Sequence, residues 1–120
     1  MQINYIKQVG QKISTHGKNK IFIDLTDVLY LQCEGNYTTL FLKDKRRILE
    51  LKPLKQFQKE LSDFGFLRIN DNTLANGKFI SEIITINKEK FVKIDEISLK
   101  ISRRKFKILK KLFSSQPPIC

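Results

Sequence analysis

The sequence predicts a mainly β domain with two helices, one in mid-chain and one near the C-terminus. Most apolar residues fall in short runs rich in Val, Ile, Thr, Tyr and Phe, which suit a pleated, half-buried surface. Turn signals separate these runs at intervals of about ten residues, the signature of an antiparallel meander. Only the stretches after Pro53 and after Ser102 carry apolar residues at helical spacing.

Residues 13–15 and 20–23 read as strands around the turn His16-Gly17-Lys18-Asn19. Residues 28–33 and Tyr37–Leu42 form a hairpin around Glu34-Gly35-Asn36, and Lys43-Asp44-Lys45 turns the chain into a strand over 46–51. Pro53 opens the mid-chain helix, because its fixed φ and missing N–H are harmless in a first turn. Leu54, Phe57 and Leu61 give that helix an inner face at i, i+3 and i+7, and Gly65 ends it. A short strand over 66–69 leads to the loop Asn70-Asp71-Asn72, and strands follow over 79–86, 91–94 and Ile97–Ile101. Ser102 caps the last helix, whose inner face is Phe106, Leu109 and Phe113, and Pro117-Pro118 cannot continue it.

A chain of 120 residues with 41% hydrophobic and 29% charged residues has an ordinary globular composition and fits one domain. The 23 Lys and Arg exceed the 12 Asp and Glu, and the resulting net charge of +11 points to a polyanionic partner. Cys33 and Cys120 make no disulfide framework, and with His16 as the sole histidine a zinc site lacks ligands. No secretory leader and no apolar run of the roughly 18–20 residues that span a bilayer is present. The expected location is the cytoplasm. No nucleophile with a placed base, phosphate loop or metal motif appears, so the reading is a protein that is not an enzyme and uses no cofactor.

The strongest local signal is Ser102-Arg103-Arg104-Lys105. Three cations at a helix N-terminus oppose the macrodipole, at a few tenths of a kcal/mol each, and a phosphate there removes the conflict. A solvated basic helix start accounts for the local sequence equally well. Arg104, Lys107 and Lys111 share one stripe, which either tracks a polyanion or is the wet side of the helix. Lys43, Lys45, Arg46 and Arg47 form a second cluster, diluted by Asp44 and Glu50, which reads as a charged hairpin tip. Asn36, Asn70, Asn72 and Asn76 suit base edges and phosphates, although turn chemistry alone explains them. Tyr37 and Phe41 alternate onto one strand face and read first as core, second as a stacking platform for single strands. Cys33 reads as a small buried residue, and Asp24 and Asp27 as a polar loop before the strand at Val28.

Four segments in order, DVLYLQCEGNYTTLFL, LKPLKQFQKEL, GFLRINDNTLANGKFISEI and SLKISRRKFKIL, resemble the LytTR family of bacterial DNA-binding domains. The resemblance covers residues 11–113, leaving residues 1–10 as a leader and 114–120 as a tail. It implies small antiparallel sheets packed in layers, and loops that enter successive major grooves of double-stranded DNA and bend it. The matching positions here are Asn36, Tyr37 and Thr38 in the first turn, Asn70, Asp71 and Asn72 in the second, and the segment Arg103, Arg104 and Lys105. Arg103 suits guanine O6/N7 or a phosphate, and Arg104 and Lys105 suit phosphates. The chain departs from the family pattern at Asn70-Asp71, where a His followed by a basic or amide residue is usual. Asp71 then accepts from a cytosine amino group, or pairs with a nearby Arg and shapes the loop.

The first functional expectation is a sequence-specific transcription regulator that binds duplex DNA, with a homodimer on repeated sites as one arrangement. A protein-interaction module of the same fold is the alternative, motivated by Asp71. A single-strand or RNA binder built on Tyr37 and Phe41 ranks third.

Overall fold

A computed structural model describes residues 3–6, 12–15 and 22–114. The first strands are β1 (Ile3–Ile6), β2 (Lys12–Thr15) and β3 (Phe22–Asp24), followed by β4 (Val28–Glu34), β5 (Tyr37–Leu42) and β6 (Arg47–Glu50). Helix α1 (Leu54–Leu61) precedes β7 (Phe66–Asn70) and β8 (Thr73–Asn76), and β9 (Ile80–Ile86), β10 (Glu89–Ile94) and β11 (Ile97–Ile101) lead into α2 (Arg103–Ser114). Among the described residues all strand pairs are antiparallel, in three sheets ordered β1-β2-β3, β6-β5-β4-β8-β7 and β11-β10-β9. The fold is mainly β, as the sequence predicts. The turn expected at residues 16–19, the tail expected at 114–120 apart from Ser114, which ends α2, and the side chain of Phe113 lie outside the described residues.

The five-stranded sheet is the middle layer because its central strands are apolar on both faces. Leu31 of β4 and Leu74 of β8 face one core with Ile23, Leu40, Leu42, Phe66 and the α1 residues Leu54, Phe57 and Leu61. Their strand neighbours Tyr30 and Ala75 point the other way, into a second core with Ile69, Val92, Ile94, Leu99, Ile101 and Leu109 of α2. Helix α1 therefore covers one face, and the β9–β11 sheet with α2 covers the other. The spacing of Leu54, Phe57 and Leu61 matches the buried positions of α1.

Two strands go beyond the sequence reading. β1 lies within the stretch read as a leader and pairs with β2 from Ile3↔Thr15 to Ile6↔Lys12. β8 sits where only a loop and a family-like motif are read. Its four residues are all buried, so it shows no alternation to betray a strand.

Local chemistry sets the connections. Asp24 accepts from the Thr26 N–H at 3.0 Å and the Thr26 hydroxyl at 2.7 Å, capping the 3-10 turn Leu25–Asp27 as the polar loop expected before β4. Asn76 is a buried brace: its amide donates to Val28 O at 2.9 Å and its carbonyl accepts from Lys78 N–H at 3.1 Å. The β5–β6 tip is charge-paired, with Asp44 accepting from the backbone N–H and the guanidinium of Arg46, which hold its carboxyl below the usual range. Lys43 lies 3.5 Å from Asp27, and Arg47 rests over the Phe41 ring. Glu50 does not dilute this tip, because it is fully buried beside the α1 core.

Candidate nucleic-acid interface

The first turn is short because Glu34 and Tyr37 already pair across it, leaving Gly35 and Asn36 to reverse the chain. Gly35 has φ +65°, a left-handed conformation that glycine adopts without the Cβ penalty. Asn36 is exposed and Tyr37 is 51% exposed, at the end of the five-stranded sheet. Thr38 is placed differently from its neighbours. It is fully buried, and its hydroxyl donates to Lys52 O at 2.6 Å, so its side chain ties the hairpin to the strand-to-helix connection and faces no solvent. Phe41 stacks on Tyr30 with ring centroids 4.4 Å apart, so it belongs to the core and offers no free platform beside Tyr37.

The second turn is braced from both sides. The Asn70 side-chain carbonyl accepts from Asn72 N–H at 2.7 Å, an Asx turn, while its amide donates to Lys100 O of β11 at 2.6 Å. Both ends of the Asn70 side chain are thus committed within the protein. Arg68 completes the brace: Nε donates to Asn70 O at 2.9 Å, one terminal nitrogen to Asp71 O at 2.5 Å, and the other to Gln58 Oε1 of α1 at 2.6 Å. Arg68 reaches the main-chain oxygen of Asp71 and leaves its carboxylate on an exposed residue. Asn72 is also exposed. Neither Arg68 nor Gln58 is singled out by the sequence reading. The available signal is an arginine inside the apolar strand FLRIN, two residues before the turn.

The third segment is the start of α2. Ser102 accepts at its hydroxyl from Lys105 N–H at 3.1 Å, the N-cap the sequence predicts, and its own N–H donates to Ile69 O of β7 at 2.8 Å. Arg103 and Arg104 are exposed, whereas Lys105 is half-buried on the side of the helix that carries buried Leu109. A groove of about 530 Å³ runs beside this start, with Lys88, Lys90, Lys100, Arg103 and Lys107 on its walls together with Glu89, which pairs with Lys100 at 3.3 Å. Phe106 helps to line it, beneath the Lys90 ammonium 5.3 Å from its ring centroid.

Two main-chain bonds and one side-chain bond bring the three segments to one edge. Cys33 N–H donates to Asn72 O at 2.9 Å, with its half-buried thiol 3.8 Å from Asn72 Oδ1, and this joins the first turn to the second. Asn70 to Lys100 and Ser102 to Ile69 join the second turn to α2. The edge presents Asn36, Tyr37, Asp71, Asn72, Arg103 and Arg104 to solvent, on supports made by Thr38, Asn70, Arg68 and Ser102. Side-chain amides, a phenol and two guanidiniums offer the donors and acceptors that base edges and phosphates demand. Among the described residues no group of three His, Cys, Asp or Glu is placed to hold a metal, and no helix is long and apolar enough to cross a membrane.

Polar turns and a capped basic helix start thus share one edge of a mainly β domain. The family model of the LytTr DNA-binding domain matches residues 18–114, and the chain belongs to that family. The heme-containing CO-sensing transcriptional regulators RcoM 2 and RcoM 1 of Paraburkholderia xenovorans (strain LB400) are 27% and 26% identical to it over 105 residues. Each alignment covers 84% of this chain and 39% of the relative, so the chain spans about two fifths of the length of the curated relatives it matches. The LytTr DNA-binding domain of a protein described as a methyl-accepting/DNA response regulator from Bacillus cereus shares the fold. Its TM-score is 0.70 at 16% identity, over 94% of this chain and 97% of that one.

Proposed function

We propose that this domain binds double-stranded DNA with sequence preference, as the DNA-reading part of a cytoplasmic bacterial transcription regulator. The single observation that carries the reading is the contiguity of the three segments, tied by Cys33–Asn72, Asn70–Lys100 and Ser102–Ile69. Such an edge enters the major groove as one unit, with register held by phosphates and preference set by base edges. Arg103 donates to guanine O6/N7 or to a phosphate, and Asn36 and Asn72 read neighbouring base edges. Asn70 and Thr38 act here as supports. Arg104 takes a phosphate with less reorganisation than Lys105, which is half-buried.

Selection of bound duplexes from a random-sequence pool at near-physiological salt tests this. One motif should emerge for the wild type, and Arg103→Ala should cost about 1–3 kcal/mol and blur the motif at one position. Equal weakening on every duplex makes Arg103 a phosphate contact instead. If no motif emerges from folded protein, sequence preference is refuted and the interaction-module reading takes its place. Asp71 favours that second reading, since an exposed carboxylate at the centre of the edge repels phosphate and suits a basic protein surface.

A further inference from the structure

The outer face of α2 extends well past the segment used above. At 3.6 residues per turn, Lys110, Arg103, Lys107, Lys111 and Arg104 fall within an arc of about 120°. All five are exposed, while Leu109 is buried and Phe106 half-buried on the inner side. The stripe runs about 12 Å from Arg103 to Lys111, at 1.5 Å per residue. No carboxylate occurs anywhere in RRKFKILKKLFS. Arg103, Arg104, Lys107 and Lys110 enter no ion pair with another described residue, in contrast to Lys43, Arg46, Lys52 and Lys100.

A merely solvated helix face usually mixes charges, because like charges at i, i+4 cost about 0.2–0.5 kcal/mol per pair. Here Arg103 with Lys107 is a like pair at that spacing, with no carboxylate on the helix to offset it. The cations of the first turn also oppose the macrodipole. A polyanion laid along the stripe relieves every one of these conflicts at once. The stripe begins at Arg103, inside the reading edge, and its direction is fixed because Ser102 is bonded to β7 and Leu109 is seated in the core.

We propose that the outer face of α2 is a second, sequence-blind contact surface, on which successive phosphates of one DNA strand lie against Arg104, Lys107, Lys110 and Lys111. The inference rests on the duplex-binding reading above and adds a flank to its footprint. With one phosphate per 3.4 Å of axis on each strand, a stripe of about 12 Å passes about three of them.

The test is the salt dependence of binding, measured on the pool-selected duplex and on one of arbitrary sequence. The variant Lys107→Gln/Lys110→Gln/Lys111→Gln should lower the log–log salt slope by about 2–3, at about 0.9 per lost phosphate contact. Affinity should fall by the same factor on both duplexes, leaving the specificity ratio intact. Its thermal midpoint should change little, since relief of like-charge repulsion is offset by loss of Lys111 from the last turn, where a cation complements the macrodipole. Lys45→Gln/Lys55→Gln/Lys59→Gln removes the same charge from the β5–β6 tip and from α1, and should change the slope far less. An unchanged slope in the α2 variant overturns the inference while duplex binding stands. An equal drop in both variants also overturns it, by assigning the effect to overall charge. A wild type that binds neither duplex refutes the reading beneath it and this surface together.

Discussion

Thr38 and Arg103 show how two residues of one candidate edge divide the labour. Thr38 is fully buried and its hydroxyl holds Lys52 O at 2.6 Å, so its contribution is to stability. Thr38→Val keeps the shape but removes the buried hydrogen bond to Lys52 O, and should cost about 0.5–1.5 kcal/mol in denaturant unfolding. Duplex preference should hold at temperatures where the variant is folded. Arg103 is exposed and in no ion pair with another described residue, so Arg103→Ala should change stability by less than about 0.5 kcal/mol while weakening duplex binding. A Thr38→Val protein of unchanged stability but altered preference would contradict this division. Asn70 belongs with Thr38, because its amide is spent on the Asx turn and on Lys100 O. Its residue type is legible as turn chemistry in the sequence, but the bond to β11 joins positions thirty apart and has no local signature.

At the scale of elements, the helices and most strands are legible because their burial is one-sided. α1 shows its apolar stripe and α2 its Ser102 cap, and the hairpins announce themselves through Gly35-Asn36 and Lys43-Asp44-Lys45. β8 is not legible. It is buried on both faces between α1 and the β9–β11 sheet, so neither the period of a strand nor that of a helix shows in Thr73–Asn76. The burial of Thr38 is hidden for a related reason: a polar residue in a tip motif looks surface-facing, but it shares its sheet face with Leu40 and Leu42 of the α1-side core. The N-cap of α2 makes an element-level prediction. Ser102→Ala removes the bond to Lys105 N–H and should cost about 0.5–2 kcal/mol. Amide exchange should speed at Lys105 and in the first turn of α2, and duplex affinity should fall because Arg103 and Arg104 lose a fixed base. Unchanged exchange there would show that the bond from Ser102 N–H to Ile69 O orders this turn alone.

For the molecule as a whole, charge and burial pull in different directions. The net charge of +11 opposes compaction and favours a polyanionic partner. Inside, Glu50 is fully buried with neither carboxylate oxygen hydrogen-bonded to another described residue, and burial raises its pKa against the opposing pull of the Lys52 charge. A carboxyl raised on folding binds its proton more tightly when folded. Its stabilising share is therefore full at acid pH and is lost as pH rises through its folded pKa. Glu50→Gln should flatten that part of the stability–pH curve, so its advantage over wild type grows from acid toward neutral pH. Parallel curves for the two proteins would show that the Glu50 carboxyl titrates as it does in the unfolded chain. The central claim is that three separated segments form one duplex-reading edge, and backbone amide NMR during titration with the pool-selected duplex tests it most directly. The largest shifts should cluster at Gly35 to Tyr37, Asp71, Asn72 and Ser102 to Arg104, with a weaker track along α2. Shifts centred instead on the β5–β6 tip or on the β9 edge, with these three segments silent, would contradict the account.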